Sequence, residues 1–367
     1  MNKNDFIWLY RNTTINNHIE DFETDINKDI ALKISRKHHL KRIQQIFSNY
    51  KLELYCDYDD LLYCKIKGFS IDEFLDVAKE NNSYTIYFPE EKQIALLPPN
   101  RKKYLKIFRR SSPSLLANLS NRKKLDILFS LHSEYSPNSL SKKQHFEFLE
   151  NNTDKINALL QLKVPEQFID SEKRKVRLIA MEISKLPKIG EKINNFENLS
   201  QKEKEKIITN VIKITSKYNN IETPNIYFFS KEEINNDDNI ENPKWIETEA
   251  YTYTNNIVFN KDFVNKSNGL INIATAFHET NHIAQSYGDY SNFEDIEDMF
   301  NSRLIFTELF SETYIFTTQE LLTYPLEYYF MEEIIKNTKI PSKNSFSYMS
   351  EYNISGQYLQ KALSRKY

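Results

Sequence analysis

Glycine is scarce in this chain, with five residues in 367. That scarcity excludes a GxxxxGK phosphate loop and a GxGxxG dinucleotide fingerprint, both of which need closely spaced glycines. Cysteine is scarcer still. Cys56 and Cys64 are the only two, and their spacing fits neither a CxxC redox pair nor a cysteine-rich zinc site, so ordinary buried thiols are expected. No apolar run approaches the ~18 residues that a membrane span requires. The start, Met1 to Asp5, leads into no apolar stretch of the secretory-signal kind. The expectation is a protein that is cytoplasmic as synthesised, with no membrane span, and any export would use a specialised secretion system. A formal net charge of −2 supplies no global field towards nucleic acid or membrane.

What is present describes a folded, water-soluble chain. Hydrophobic residues make up 40%, charged residues 27% and aromatics 13%, enough apolar surface for a sizeable core and length enough for two or three domains. Ser70 to Glu73 and Ser200 to Glu203 read as capping boxes, each opening a helix. Residues 83–88 and 93–97 read as a hairpin stopped by Pro98-Pro99. Helical patterning follows over 115–134, 142–162 and 172–185, punctuated by Pro113, Pro137, Pro165 and Pro187. These signals predict an α+β fold: a mixed N-terminal module over residues 1–110, a helical middle over 111–198 and a C-terminal domain over 199–367. Arg101, Lys102, Lys103, Lys106, Arg109 and Arg110 form a basic run with no acid among them. The run reads as a solvated helix face, and no nucleic-acid partner is expected.

The last third carries the chemistry. Strand signals at residues 225–229 and 249–259 precede a helix predicted from about Leu270 to Tyr287, with Asn268 or Ser267 as N-cap and Gly288 as a left-handed C-cap. Inside that helix stands His278-Glu279-Thr280-Asn281-His282. Histidines at i and i+4 project from one helix face, so two imidazole nitrogens can reach one zinc ion at ~2.0–2.1 Å. Glu279, one residue on, is placed to take a proton from a water on that metal. Leu270, Ile273, Ala274, Phe277 and Ile283 mark the helix as buried.

The order helix, strand, Tyr/Thr-rich strand, HExxH helix and later helical acid resembles the catalytic core of the zincin metallopeptidases, over about residues 200–340. The resemblance implies a zincin-like core of helices on a small mixed sheet, a Zn²⁺ cofactor, a protein or peptide substrate and Glu279 as the catalytic base. It also implies that Ala250–Thr254 or Ile257–Phe259 forms the sheet edge that binds substrate backbone. The metzincin subgroup would need glycine at 285 and histidine at 288, where this chain has Gln285 and Gly288. For the third metal ligand beside His278 and His282 two glutamates compete. Glu327, in Pro325-Leu326-Glu327, resembles the P-x-E run of small bacterial and phage zincins and is preferred. Glu308, with Glu312 behind it, resembles the E-x-x-S-D segment of thermolysin-like enzymes. A signal-less zincin with an attached module has the form of a delivered toxin or effector protease. A zincin scaffold kept for protein binding alone is the alternative, and retention of Glu279 argues against it. Asp289, Glu294, Asp295, Glu297 and Asp298 read as a solvated acidic loop, and His18, His38, His39, His132 and His145 are assigned no role.

Overall fold

The computed structural model describes residues 1–16, 28–34, 36–56, 62–88, 93–97, 100–136, 139–230, 232–233, 249–290, 292–293, 296–297, 300 and 322–340. The architecture is mixed helix and sheet, as the α+β reading expects. It separates into two compact units: Met1–Lys163 with the described part of Asp289–Thr318, and Val164–Gly288 with the described part of Gln319–Tyr367. The boundaries expected near residues 110 and 198 fall inside these units. No helix among the described residues is long and apolar enough to cross a membrane.

The first unit holds a six-stranded sheet built from β1 (Thr13–Asn16), β2 (Asp29–Ile34), β3 (Lys51–Cys56), β4 (Leu62–Lys67), β5 (Tyr84–Phe88) and β6 (Gln93–Leu97), in the order β3-β4-β2-β1-β6-β5. Each described pairing in it is antiparallel. The expected hairpin is β5–β6, paired from Tyr84 opposite Leu97 to Phe88 opposite Gln93. Strand β4 shows why the sheet has an inner face: Cys64 and Ile66, two residues apart, are both fully buried. Helices α1 (Lys3–Asn12), α2 (His39–Ile46) and α3 (Ile71–Glu80) contribute Phe6, Leu9, Ile43, Phe74 and Ala78 to the same core. The capping box at Ser70 and Glu73 opens α3 as predicted.

Helices α4 (Arg101–Arg110), α5 (Pro113–Ala117), α6 (Asn121–Tyr135) and α7 (Lys142–Leu160) follow. The single helix expected over 115–134 is two, broken at residues 118–120. Ser120 takes an extended conformation there and begins α6. In the basic run, Arg101 and Arg109 both pair with Glu134 of α6, at 3.6 and 2.5 Å. The acid missing from the local sequence is thus supplied by α6.

The second unit is organised around α12 (Gly269–Tyr287), the HExxH helix. Before it come α8 (Glu166–Ser184), α9 (Ile189–Asn194), α10 (Gln201–Tyr218), β7 (Asn225–Phe229), β8 (Ala250–Tyr253), β9 (Asn256–Asn260) and α11 (Lys261–Lys266). After it comes α13, residues 322–338. The expected strand over 249–259 is a two-strand hairpin, β8–β9, turning at Thr254 with φ of 48°. Strand β9 is central, parallel to β7 and antiparallel to β8. Its Ile257, Val258 and Phe259 are buried, so of the two stretches proposed for the substrate edge only Ala250–Tyr253 lies at one among the described strands.

Helix α12 starts as predicted, with Asn268 accepting from the Ile271 N–H. Its end differs. Gly288 has φ −72° and ψ 157°, an extended conformation rather than a left-handed cap. Gly269 is fixed by close approach instead: a Cβ there would stand 2.4 Å from the Ile193 carbonyl oxygen and 2.7 Å from Phe196 Cβ.

Gly269→Ala is therefore expected to lower stability by about 1–3 kcal/mol through overpacking, measurable by denaturant unfolding. The thiols give a second check, because Cys56 is exposed and Cys64 is buried, which corrects the expectation of two buried thiols. Burial pushes the Cys64 thiol up to about 12. A thiol reagent at pH 8 should modify Cys56 in the native protein and reach Cys64 only after unfolding.

Candidate metal centre

Helix α12 is enclosed by neighbours over most of its circumference, and His278, Glu279 and His282 are all buried. The intervening residues of the motif are satisfied locally. Thr280 donates to the Ala276 carbonyl at 2.7 Å. Asn281 donates to the Phe277 carbonyl at 2.9 Å and accepts from Asn219 at 3.3 Å. With those polar groups matched, the helix can sit in the core without an orphaned hydrogen-bonding side chain at either position.

The two histidines converge. Their Nε2 atoms lie 3.0 Å apart, with the ring planes at 84°. Each outward nitrogen meets an acceptor. His278 Nδ1 is 2.8 Å from Glu327 Oε2, and His282 Nδ1 is 3.1 Å from Gln285 Oε1. A carboxylate oxygen accepts, so His278 donates to Glu327 through Nδ1. The two Nε2 atoms are within hydrogen-bonding distance of each other, and one proton can be shared between them. Without that proton both Nε2 lone pairs converge on one point, and a cation placed there would bind both. The donor set thus fits a metal such as zinc, whose bonds to histidine of ~2.0–2.1 Å readily bridge such a gap.

The partners outside the histidines are themselves held. Gln285 Nε2 donates to Thr323 Oγ1 at 2.8 Å, so both ends of the amide are engaged. Tyr324 packs edge-on against His278, ring centroids 4.8 Å apart. Glu327 is brought to the site, as the sequence reading expects of it, but it sits on His278 Nδ1, the nitrogen turned away from His282. Its carboxylate is not gathered with both Nε2 atoms: among the described residues, no His278–His282–Glu327 group has donors all within 4.8 Å of one another. Glu327 also lies one turn deeper in its helix than predicted, because α13 is already formed at residue 322, before Pro325. The rival pair, Glu308 and Glu312, lies outside the described residues.

Glu279 is held from the sheet. Thr252 of β8 donates its hydroxyl to Glu279 Oε2 at 2.6 Å and also approaches the Glu279 carbonyl at 3.1 Å. Glu249, immediately before β8, accepts from Thr275 at 2.9 Å. Burial raises the Glu249 pKa, the Thr275 hydrogen bond opposes this, and the negative charges of Glu327 and Glu279 reinforce it. Sequence reasoning overlooked Glu249, Thr252, Gln285 and Thr323. Thr252 alternates with tyrosines in a strand signal and Gln285 lies one helical turn past His282, but neither carries a motif. The pairing of Gln285 with Thr323 spans 38 residues.

The first unit contains a further cluster. His38 Nε2 and His39 Nε2 both reach Glu297 Oε1, at 2.7 and 2.5 Å. Glu297 is buried, which corrects its reading as part of a solvated loop. Burial works to raise its pKa, but the hydrogen bonds from His38 and His39 and the charge of Arg36 outweigh that and hold it well below the usual carboxylate range. His132 and His145, which were assigned no role, lie apart from this cluster's donors, and His18 lies outside the described residues.

Comparison with known proteins gives no match: no family model, no curated protein and no solved structure aligns with the chain. The functional reading rests on the chemistry of the site itself.

That chemistry makes a spectroscopic prediction. In ¹H–¹⁵N correlation spectra of the zinc-loaded protein, His278 and His282 should both carry their proton on Nδ1. A ring with its proton on Nε2 under those conditions would contradict the lone-pair arrangement.

Proposed function

We propose that the protein is a zinc-dependent peptidase, hydrolysing peptide bonds with His278 and His282 as metal ligands and Glu279 as general base. The observation that carries this reading is the pair of Nε2 atoms facing each other at 3.0 Å while both Nδ1 atoms are engaged by acceptors. Zinc held there supplies Lewis acidity and lowers the pKa of bound water towards about 7.

The chain's own residues do the rest. Glu279 accepts a proton as water attacks the peptide carbonyl and passes it to the departing amine. The Thr252 hydroxyl, fixed on Oε2, sets the rotamer of that carboxylate and leaves its other oxygen to carry the proton. Glu327 acts on His278 through Nδ1, orienting the ring and raising its basicity. In this reading it is a positioning residue, and direct ligation is the competing role. Strand β8 has β9 on one side and no described strand on the other. In this reading an extended peptide is laid antiparallel along that edge. Thr252 belongs to that same strand, so an added peptide would run past the base. The polar requirements of an added strand are met by backbone, which suits a substrate that is itself a polypeptide.

The test uses purified wild type, Glu279→Gln and Glu327→Gln, with bound metal measured by elemental analysis and turnover followed on an unfolded protein substrate. Glu279→Gln should retain zinc and lose about 10²–10⁴-fold in turnover, the usual contribution of a general base. Glu327→Gln should keep the stoichiometry and weaken zinc by about 10–100-fold if it positions His278. Outright loss of the ion would make it a ligand. A wild type that takes up no metal at His278 and His282 under metal-replete conditions would overturn the reading.

A further inference from the structure

We propose that His38, His39 and Glu297 form a second metal site, in the first unit, for one divalent first-row transition ion of the zinc or cobalt class. Adjacent residues on a helix point about 100° apart, so neighbouring histidines ordinarily diverge. Here, at the start of α2, where His38 is the N-cap and His39 the first helical residue, both reach the same carboxylate oxygen. Their rings stand 4.5 Å apart at 76°. His39 shares its helix face with Ile43 one turn on and is buried with it, its ring edge against Trp8 at 5.1 Å.

Three donor atoms, two imidazole nitrogens and one carboxylate oxygen, therefore lie within 4.8 Å of one another, closed by a carboxylate more than 250 residues away in sequence. Asp289 lies at the edge of the cluster, one oxygen 3.8 Å from His38 Nε2, and is not gathered with all three donors. Among the described residues Arg36 is a buried cation whose charge acts on Glu297, so it balances part of the carboxylate's charge. Its guanidinium also lies over the rings of Tyr290 and Phe300, at 5.1 and 5.7 Å. Two neutral imidazoles with one carboxylate form the nitrogen-and-oxygen set that zinc and its neighbours accept, and one too rich in nitrogen for calcium or magnesium. The rival is a network in which the two rings and Glu297 share protons and no ion.

Stoichiometry separates these, and it separates this site from the HExxH pair. The full chain is stripped with chelator and titrated with Co²⁺, reading visible absorption and elemental analysis. Wild type should bind two ions, His278→Ala/His282→Ala one, and Glu297→Gln or His38→Ala/His39→Ala one. Added Zn²⁺ should raise the Tm of folded His278→Ala/His282→Ala. If that variant does not fold, the fall from two ions to one between wild type and Glu297→Gln carries the test. One ion in wild type that survives His38→Ala/His39→Ala overturns this proposal and leaves the peptidase reading standing. One ion that is lost with His38→Ala/His39→Ala and kept in His278→Ala/His282→Ala supports this site and removes the other.

Discussion

The second unit depends on the approach of two nitrogen atoms. His278 and His282 are each held, by a hydrogen-bonding partner behind the ring, with Nε2 facing the other at 3.0 Å. Nothing in the isolated helix requires this. Histidines at i and i+4 can turn aside, and it is Glu327 and Gln285 that keep these two facing each other. Gln285 is itself tied to Thr323. The site is therefore defined from outside inwards, and a motif scan sees only its inner layer.

A constraint of this kind demands rigidity, which explains the packing of α12. Its start is pressed so closely against Ile193 and Phe196 that only glycine fits at 269. Ile273, Ala274, Phe277 and Ile283 are buried in one core with Ile207, Ile208, Val211 and Ile212 of α10. The Glu279 carboxylate is held from a different direction, through Thr252 at the sheet edge. The rings of His278 and His282 and the Glu279 carboxylate share one helix but are positioned by different neighbours.

Much of this was legible in the sequence, and what was missed has a common cause. The capping boxes at Ser70 and Ser200, the β5–β6 hairpin and the extent of α7 follow from local spacing, and the structure reproduces them. The helix carrying His278, Glu279 and His282 was equally plain, since its N-cap and its buried apolar residues agree with the sequence pattern. Local reading failed where distant residues decide. Glu297 reads as one acid in a charged loop until His38 and His39 are seen to meet it. The basic run of α4 looks unbalanced until Glu134 arrives from α6. Glu327 was found, but which nitrogen of His278 it would meet is a matter of tertiary geometry. The break between α5 and α6 was missed because Asn118 to Ser120 interrupts an apolar pattern too briefly to register.

Helices α12 and α13 touch through Gln285 with Thr323, His278 with Glu327, and Phe277 with Phe330, whose rings stack at 4.4 Å. The first partner of each pair falls along α12 as the second rises along α13, so the helices run antiparallel. The α13 contacts are spaced four and then three residues apart, one face of a helix read at consecutive turns. This is a ratchet with a single tooth position. Rotating α13 by one residue would swing all three contacts about 100° away together, losing the ring stack, the amide clamp and the carboxylate in one step. The connection between the helices can lengthen or shorten over evolutionary time without touching this register. Within residues 323–330, by contrast, a single insertion or deletion would dismantle the histidine geometry without altering a histidine.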